Sequence, residues 1–432
     1  MDELLYITIV LYTLTQLLLP ILLWPSRKNT GFYQSIPPTL IAYIFGGIFF
    51  INNAEKQLGV GVDTEEVYIY ILLLGCVSNV ISYTIGFYTT NNIKSALKRM
   101  LMFLVNNNIC SVKKYTTHIA LATIILFVIS FVGMGFIPAL AENPMLAKFM
   151  AGEYQDLYKN YAVPFRLALN LSYIAVILLL LSAISKKGKK KIMYMLLLIG
   201  IVTCIALTMR RGQILAGIIA FAFSYAAYSR KVVFYSLVSG FILLYMFGSA
   251  ANAIFLYIMD LGVEPELYDI FRGMPDVSDQ LWFLQKWLDD GWEITFGTNI
   301  FGGLIPFHSE YNISALTLYV IGATPGETGS GGFRLLTPMI GYISFSWLGV
   351  VAVTAMNAYL NGMVLRLTKD FVKNRNREEF IVINTLLIPC SVALTGKIVE
   401  GISIDSLTLA LVVIMMFVLS NYKIVLFKNK GL

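Results

Sequence analysis

Apolar runs of about twenty residues recur along this chain, and no other feature restricts its fold so strongly. A helix rising ~1.5 Å per residue needs about 17 to 25 apolar residues to cross ~30 Å of hydrocarbon. Eleven stretches fit or approach that length: roughly 4–24, 36–51, 67–89, 115–137, 162–184, 192–208, 212–228, 232–250, 337–365, 380–396 and 404–422. In lipid a chain must satisfy its own backbone hydrogen bonds, so such runs become helices. Composition agrees: 57% of the 432 residues are hydrophobic and only 13% are charged, which excludes an ordinary soluble domain. The expectation is an all-α integral membrane protein with about 11 transmembrane helices. Residues 1–250 would carry spans 1–8, 251–336 a large loop with amphipathic helices, and 337–432 spans 9–11. The first run opens with Asp2 and Glu3 and ends in "LLWPSRK" without a small-residue cleavage site, so it is expected to stay as a helix.

Lysine and arginine set the orientation. Alternate loops hold Arg27 and Lys28, "NIKSALKRM", "SKKGKKK", Arg230 and Lys231, "RLTKDFVKNRNR" and the C-terminal lysines. That side carries 22 basic and 3 acidic residues, against 10 and 22 on the other, and together they account for the net charge of +7. By the positive-inside rule the first side is cytoplasmic, with the N-terminus outside and the C-terminus inside. The net charge is thus a topology signal. No basic run interleaves with stacking aromatics, so nucleic acid is not an expected partner.

Against this bias, "TMRRGQIL" places Arg210 and Arg211 at an outer turn between two apolar runs. Two readings stand: arginines snorkelling to the headgroups, or an outward anion site. Arginine keeps its charge and offers a planar fork to phosphate oxygens, so a tandem pair suits a phosphate-bearing ligand. Other outward arginines are Arg166, Arg272 and Arg334.

The large loop lies between spans 8 and 9. In it, "DQLWFLQKWLDDGWE" has Leu281, Leu284 and Leu288 with Trp282, Trp287 and Trp292 around them, the pattern of a helix lying along the outer membrane surface. Its tryptophans fit an aromatic belt or a sugar-stacking platform. "LIPFHSEYNISALTLYVIGA" would bury His308 and Glu310 if it spanned, so it is not read as a span, and a re-entrant or interfacial helix stays open as an alternative. "GATPGETGSGGFR" holds five glycines in thirteen residues, with Glu327 among them and Arg334 at its end, and reads as a loop. His308, Glu310 and Glu327 are the candidate proton-transfer groups. As a weaker signal, "VDTEE" offers Asp63 and Glu65, an acidic pair of the kind a metal-dependent outer glycosyltransferase would keep in its first outer loop.

The four cysteines lie in spans or on the inner side, and no Cys/His cluster has metal spacing, so no metal and no cofactor are expected. Zinc-protease, esterase and Walker motifs are absent. The layout of many spans, one large outer loop in the second half and outward arginines resembles the O-antigen and capsular repeat-unit polymerases of the Wzy type. "GMGFIPALAENPMLAKFMAGEY" is similar to the family's Gly-Ile-Pro segment. "TPMIGYISFSWLGVVAVTAMNAYLNGMVLRL" is similar to its Pro-x-x-Gly entry into the span after the large loop. Tyr342 stands where an acid is common, and Ser346-Trp347 interrupts the family's Asn-Phe-Gly.

The resemblance implies a metal-independent glycosyltransferase of the bacterial inner membrane. It would join oligosaccharide repeat units carried on undecaprenyl pyrophosphate into O-antigen or capsular polysaccharide, with a chain-length regulator protein as a further partner. Arg210, Arg211, Arg334, Arg166 and Arg272 would bind pyrophosphate, and His308, Glu310 or Glu327 would take the acceptor proton. Alternatives are an O-antigen ligase or another lipid-sugar glycosyltransferase, and a lipid-linked oligosaccharide flippase.

Overall fold

The computed structural model describes residues 2–39, 60–89, 94–96, 98–99, 102, 109–209, 212–258, 276–301, 313–322, 332–389 and 404–421. Among these residues every regular element is helical. Six helices are long and apolar enough to cross a membrane: Glu3–Leu23, Val62–Tyr88, Val112–Met134, Ala162–Ser185, Lys189–Leu207 and Thr337–Val372. Each falls on a run read from the sequence, and the shorter apolar helices Ala216–Ala226 and Lys231–Leu244 fall on two more. The helices turn large apolar side chains outward, among them Ile7, Leu11 and Leu18, Val77, Ile81 and Ile85, and Ile125 and Val132. Such a surface suits lipid and would aggregate in water, so the chain is a multi-pass membrane protein.

The chain forms two compact units, each assembled from separated segments. The first comprises Met1–Thr89, Tyr225–Lys369 and Thr395–Ser403. Leu5, Ile9 and Tyr12 of the first helix pack with Tyr68, Ile71, Leu72 and Cys76 of Val62–Tyr88. The Asp276–Asp289 helix completes this core with Val277, Leu281, Phe283, Leu284 and Trp287. The Leu281 and Leu284 part of its apolar stripe is covered by protein. The reason is tertiary, because an amphipathic stripe specifies burial without naming what covers it. At the other end of the unit, Arg27 Nη1 donates to the Ser229 carbonyl at 2.5 Å. Lys28 sits over the Tyr228 ring and Tyr33 meets Phe234 edge to face at 4.9 Å, fastening the N-terminal segment to the Lys231–Ile258 helix.

The second unit comprises Thr90–Ser224, Asp370–Leu394 and Ile404–Leu432. Its centre is Ala162–Ser185, whose run "AVILLLLSA" is apolar on every side and is accordingly the most buried of the spanning helices. Thr116–Met134, Lys189–Leu207 and Ile404–Asn421 surround it. Phe127 and Phe131 of Thr116–Met134 pack against Phe165 of Ala162–Ser185. Two polar ties cross that apolar core. Thr116 Oγ1 lies 2.9 Å from Ser182 Oγ, and Tyr173 donates to the Thr385 carbonyl at 2.9 Å, within the widened Ile383–Leu387 turn. At the lysine-rich end, Glu378 accepts from Lys113 at 2.6 Å and from Ser185 at 2.9 Å.

Candidate functional site

Thr337–Val372, on the run read as a span at 337–365, is broken near its start and reverses there. Phe345 (φ −146°, ψ 27°) and Ser346 (φ 54°, ψ −147°) leave helical geometry inside Thr337–Val372. Residues 337–344 then fold back along 347–372. The doubling back is close: a Cβ on Gly349 would stand 2.0 Å from the Gly341 carbonyl oxygen, and one on Gly341 would stand 2.3 Å from that of Gly349. No proline or glycine marks the break in "YISFSW", so hydropathy alone reads straight through it. Residues 295–297 support the break from outside. Thr295 N donates to the Ile343 carbonyl at 2.9 Å, and the Phe345 ring rests against Gly297. Asn299, 2% exposed, accepts from Ser344 Oγ at 2.9 Å and from Thr295 Oγ1.

The half-helix 337–344 starts beside the middle of another spanning helix. A Cβ on Gly75, central in Val62–Tyr88, would stand 2.4 Å from Pro338 Cγ, so only glycine admits the proline there. Proline suits the first turn of a helix, where an N–H has no intrahelical partner. The first turn of a helix also carries the positive end of its dipole. Polar side chains collect nearby on the adjoining helix: Asn357 Nδ2 donates to Thr337 Oγ1 at 3.0 Å, and Asn361 Nδ2 to Asn357 Oδ1 at 3.2 Å. One turn beyond Gly75, Asn79 is 5% exposed and its Nδ2 has no partner among the described residues. Amides held inside apolar helices are costly, which makes them markers of function in a membrane protein.

Arg334 lies three residues before the half-helix, and its backbone is fixed by a buried bridge. Gln280, fully buried, accepts from the Tyr68 hydroxyl at 2.7 Å and donates Nε2 to the Arg334 carbonyl at 2.8 Å. Next to it, Phe333 N donates to Thr317 Oγ1 at 3.0 Å and the Phe333 ring packs on Trp282. The Arg334 side chain is exposed. Of the acidic pair in "VDTEE", Asp63 is exposed, while Glu65 is only 3% exposed and sits one turn from Tyr68 on the same helix face. Residues 68, 280 and 334 are thus brought to one place in the first unit.

Arg166 belongs to the second unit, where its Nε donates to the Tyr158 hydroxyl at 3.0 Å. Arg210, Arg211, Arg272, His308, Glu310 and Glu327 lie outside the described residues. Sequence reasoning missed Gln280 and Asn299. The available signal was a polar residue at a position that an amphipathic pattern turns inward. No known family, no curated protein and no solved structure matches the chain.

Proposed function

We propose that this protein is a glycosyltransferase that joins lipid-linked oligosaccharide repeat units into a surface polysaccharide at the outer face of the bacterial inner membrane. The observation that carries this reading is Arg334. Its backbone is clamped by Gln280, its side chain is exposed, and it stands directly before the positive end of a half-helix. An exposed, permanently charged fork beside helix N-terminal amides suits a pyrophosphate. Arg210, Arg211, Arg166 and Arg272 remain further pyrophosphate-binding candidates from sequence, and Wzy-type polymerases are the class that the loop and arginine layout resembles.

In the proposed reaction an acceptor sugar hydroxyl attacks the anomeric carbon of the donor glycan. The bond from that carbon to the pyrophosphate oxygen breaks, and the lipid pyrophosphate leaves with the electron pair. The hydroxyl proton passes to a base. His308, Glu310 and Glu327 remain the candidates from sequence, and Glu65 joins them because it is only 3% exposed and lies one helical turn from Tyr68. Charge growing on the leaving group is what the arginines stabilise, an effect typically worth ~10²–10³ in rate per preorganised donor.

The broken helix also favours a second reading, a lipid-linked oligosaccharide flippase, because transporters commonly bind anionic groups at half-helix N-termini. The glycan pattern of a deletion strain separates these. Single repeat units on the lipid core indicate a lost polymerase, a bare core a lost ligase, and lipid-linked units retained on the cytoplasmic side a lost flippase.

A further inference from the structure

We infer that a cleft in the second unit, at the end of the Thr116–Met134 helix, binds a neutral saccharide ring. The inference rests on the glycosyltransferase reading and adds a binding site to it. The helix ends at Gly135, whose φ of 73° turns the chain, and residues 136–157 border an open, shallow cleft of about 700 Å³. Met150 adopts a φ of 54° while fully buried, a conformation unfavourable for a non-glycine residue and held here by packing.

Phe136 and Tyr154 form the aromatic floor, with ring centroids 4.7 Å apart. Tyr154 is oriented from the other side, since its hydroxyl accepts from Asn143 N at 3.2 Å. Leu140 and Leu157 line the cleft and remain exposed, and Glu142 and Glu153 supply two exposed carboxylates. Among the described residues the lining contains no lysine, arginine or histidine.

That chemistry selects its ligand. Two carboxylates without a cation repel phosphate, which disfavours a phospholipid headgroup or the donor pyrophosphate. An apolar aromatic surface flanked by carboxylates instead matches a pyranose, whose C–H face packs on rings while its hydroxyls donate to carboxylate oxygens. The volume lies within the range of small-ligand sites, which combine mostly apolar walls with a few polar groups. Arg166 acts at one remove: by holding Tyr158 it braces the Tyr154–Lys159 helix that carries one wall.

The test uses the full-length protein in nanodiscs and, as probe, the repeat-unit oligosaccharide released by mild acid from the host's own lipid-linked precursors. Binding to the wild type is expected. Glu142→Gln with Glu153→Gln should weaken it by about tenfold or more, because hydrogen bonds to charged groups are lost. Phe136→Ala should weaken it by roughly threefold to tenfold through loss of ring contact. Gly240→Ala, at a position where a Cβ meets nothing within 4 Å, should bind the probe like the wild type. No binding to the wild type, or equal binding by the carboxylate and Phe136 variants, overturns the cleft. The polymerase reading fails separately: a deletion strain that keeps its full polymer sinks that reading whatever the oligosaccharide does.

Discussion

Asn357 hydrogen-bonds to Thr337 at 3.0 Å although the two are 20 residues apart within what reads as a single apolar span. A continuous helix would separate them by ~30 Å. The contact therefore exists only because the chain reverses at Phe345 and Ser346, and it ties the start of the half-helix to its neighbour.

Removing that tie should loosen the hairpin. Asn357→Leu leaves Thr337 Oγ1 without its donor and Asn361 Nδ2 without its acceptor. Leaving buried polar groups unmade costs about 1–3 kcal/mol. A lower midpoint of thermal unfolding in detergent is the expected result. A midpoint equal to that of the wild type would show that the bond contributes nothing.

The Gly341 and Gly349 contact gives a sharper steric test. Gly349→Val places a branched side chain where even a Cβ meets a backbone oxygen. Overpacking of this kind typically costs 1–3 kcal/mol or more. Gly240, within Lys231–Ile258, has nothing within 4 Å of a built Cβ. Gly240→Ala is accordingly expected to stabilise by roughly 0.5–1 kcal/mol, through helix propensity alone. Purified yield and unfolding midpoint should move in opposite directions for the two variants.

Arg334 separates charge from geometry. Arg334→Ala is expected to lower polymer formation by ~10²–10³ at unchanged protein level. Arg334→Lys should recover only part, because lysine keeps the charge and lacks the bidentate fork. A glycan ladder of normal length in the alanine variant would remove Arg334 from the reaction. The same comparison applies to the tandem Arg210 and Arg211, where a double alanine variant with a normal ladder would leave them as headgroup anchors.

Orientation is tested by labelling. In a background lacking the four native cysteines, a cysteine at Leu140 should react with an impermeant thiol reagent in intact spheroplasts, while one at Lys187 should not. Both positions are exposed in the structure, so reactivity reports the side of the membrane. Labelling at Lys187 from outside would reverse the assignment made from the basic loops.

Sequence by itself determined the class, and six of its apolar runs coincide with helices long and apolar enough to cross a membrane, since apolar length is a local property that the bilayer reads directly. It also singled out Arg334 and the acidic pair containing Glu65, because permanent or costly charges stand out against apolar surroundings. Three features needed the tertiary structure. Trp287 and Leu284 carry a stripe that says only "bury me", and the Val62–Tyr88 helix, far away in sequence, decided that protein covers it. The break at Phe345 and Ser346 has no glycine or proline to announce it; contacts from Thr295, Asn299 and Gly297 hold that backbone in place. Finally, Tyr68, Gln280 and Arg334 look unrelated along the chain, and only folding turned two hydrogen bonds into the bridge that positions the arginine. Long-range pairing of this kind depends on which surfaces meet, information that no single stretch of sequence contains.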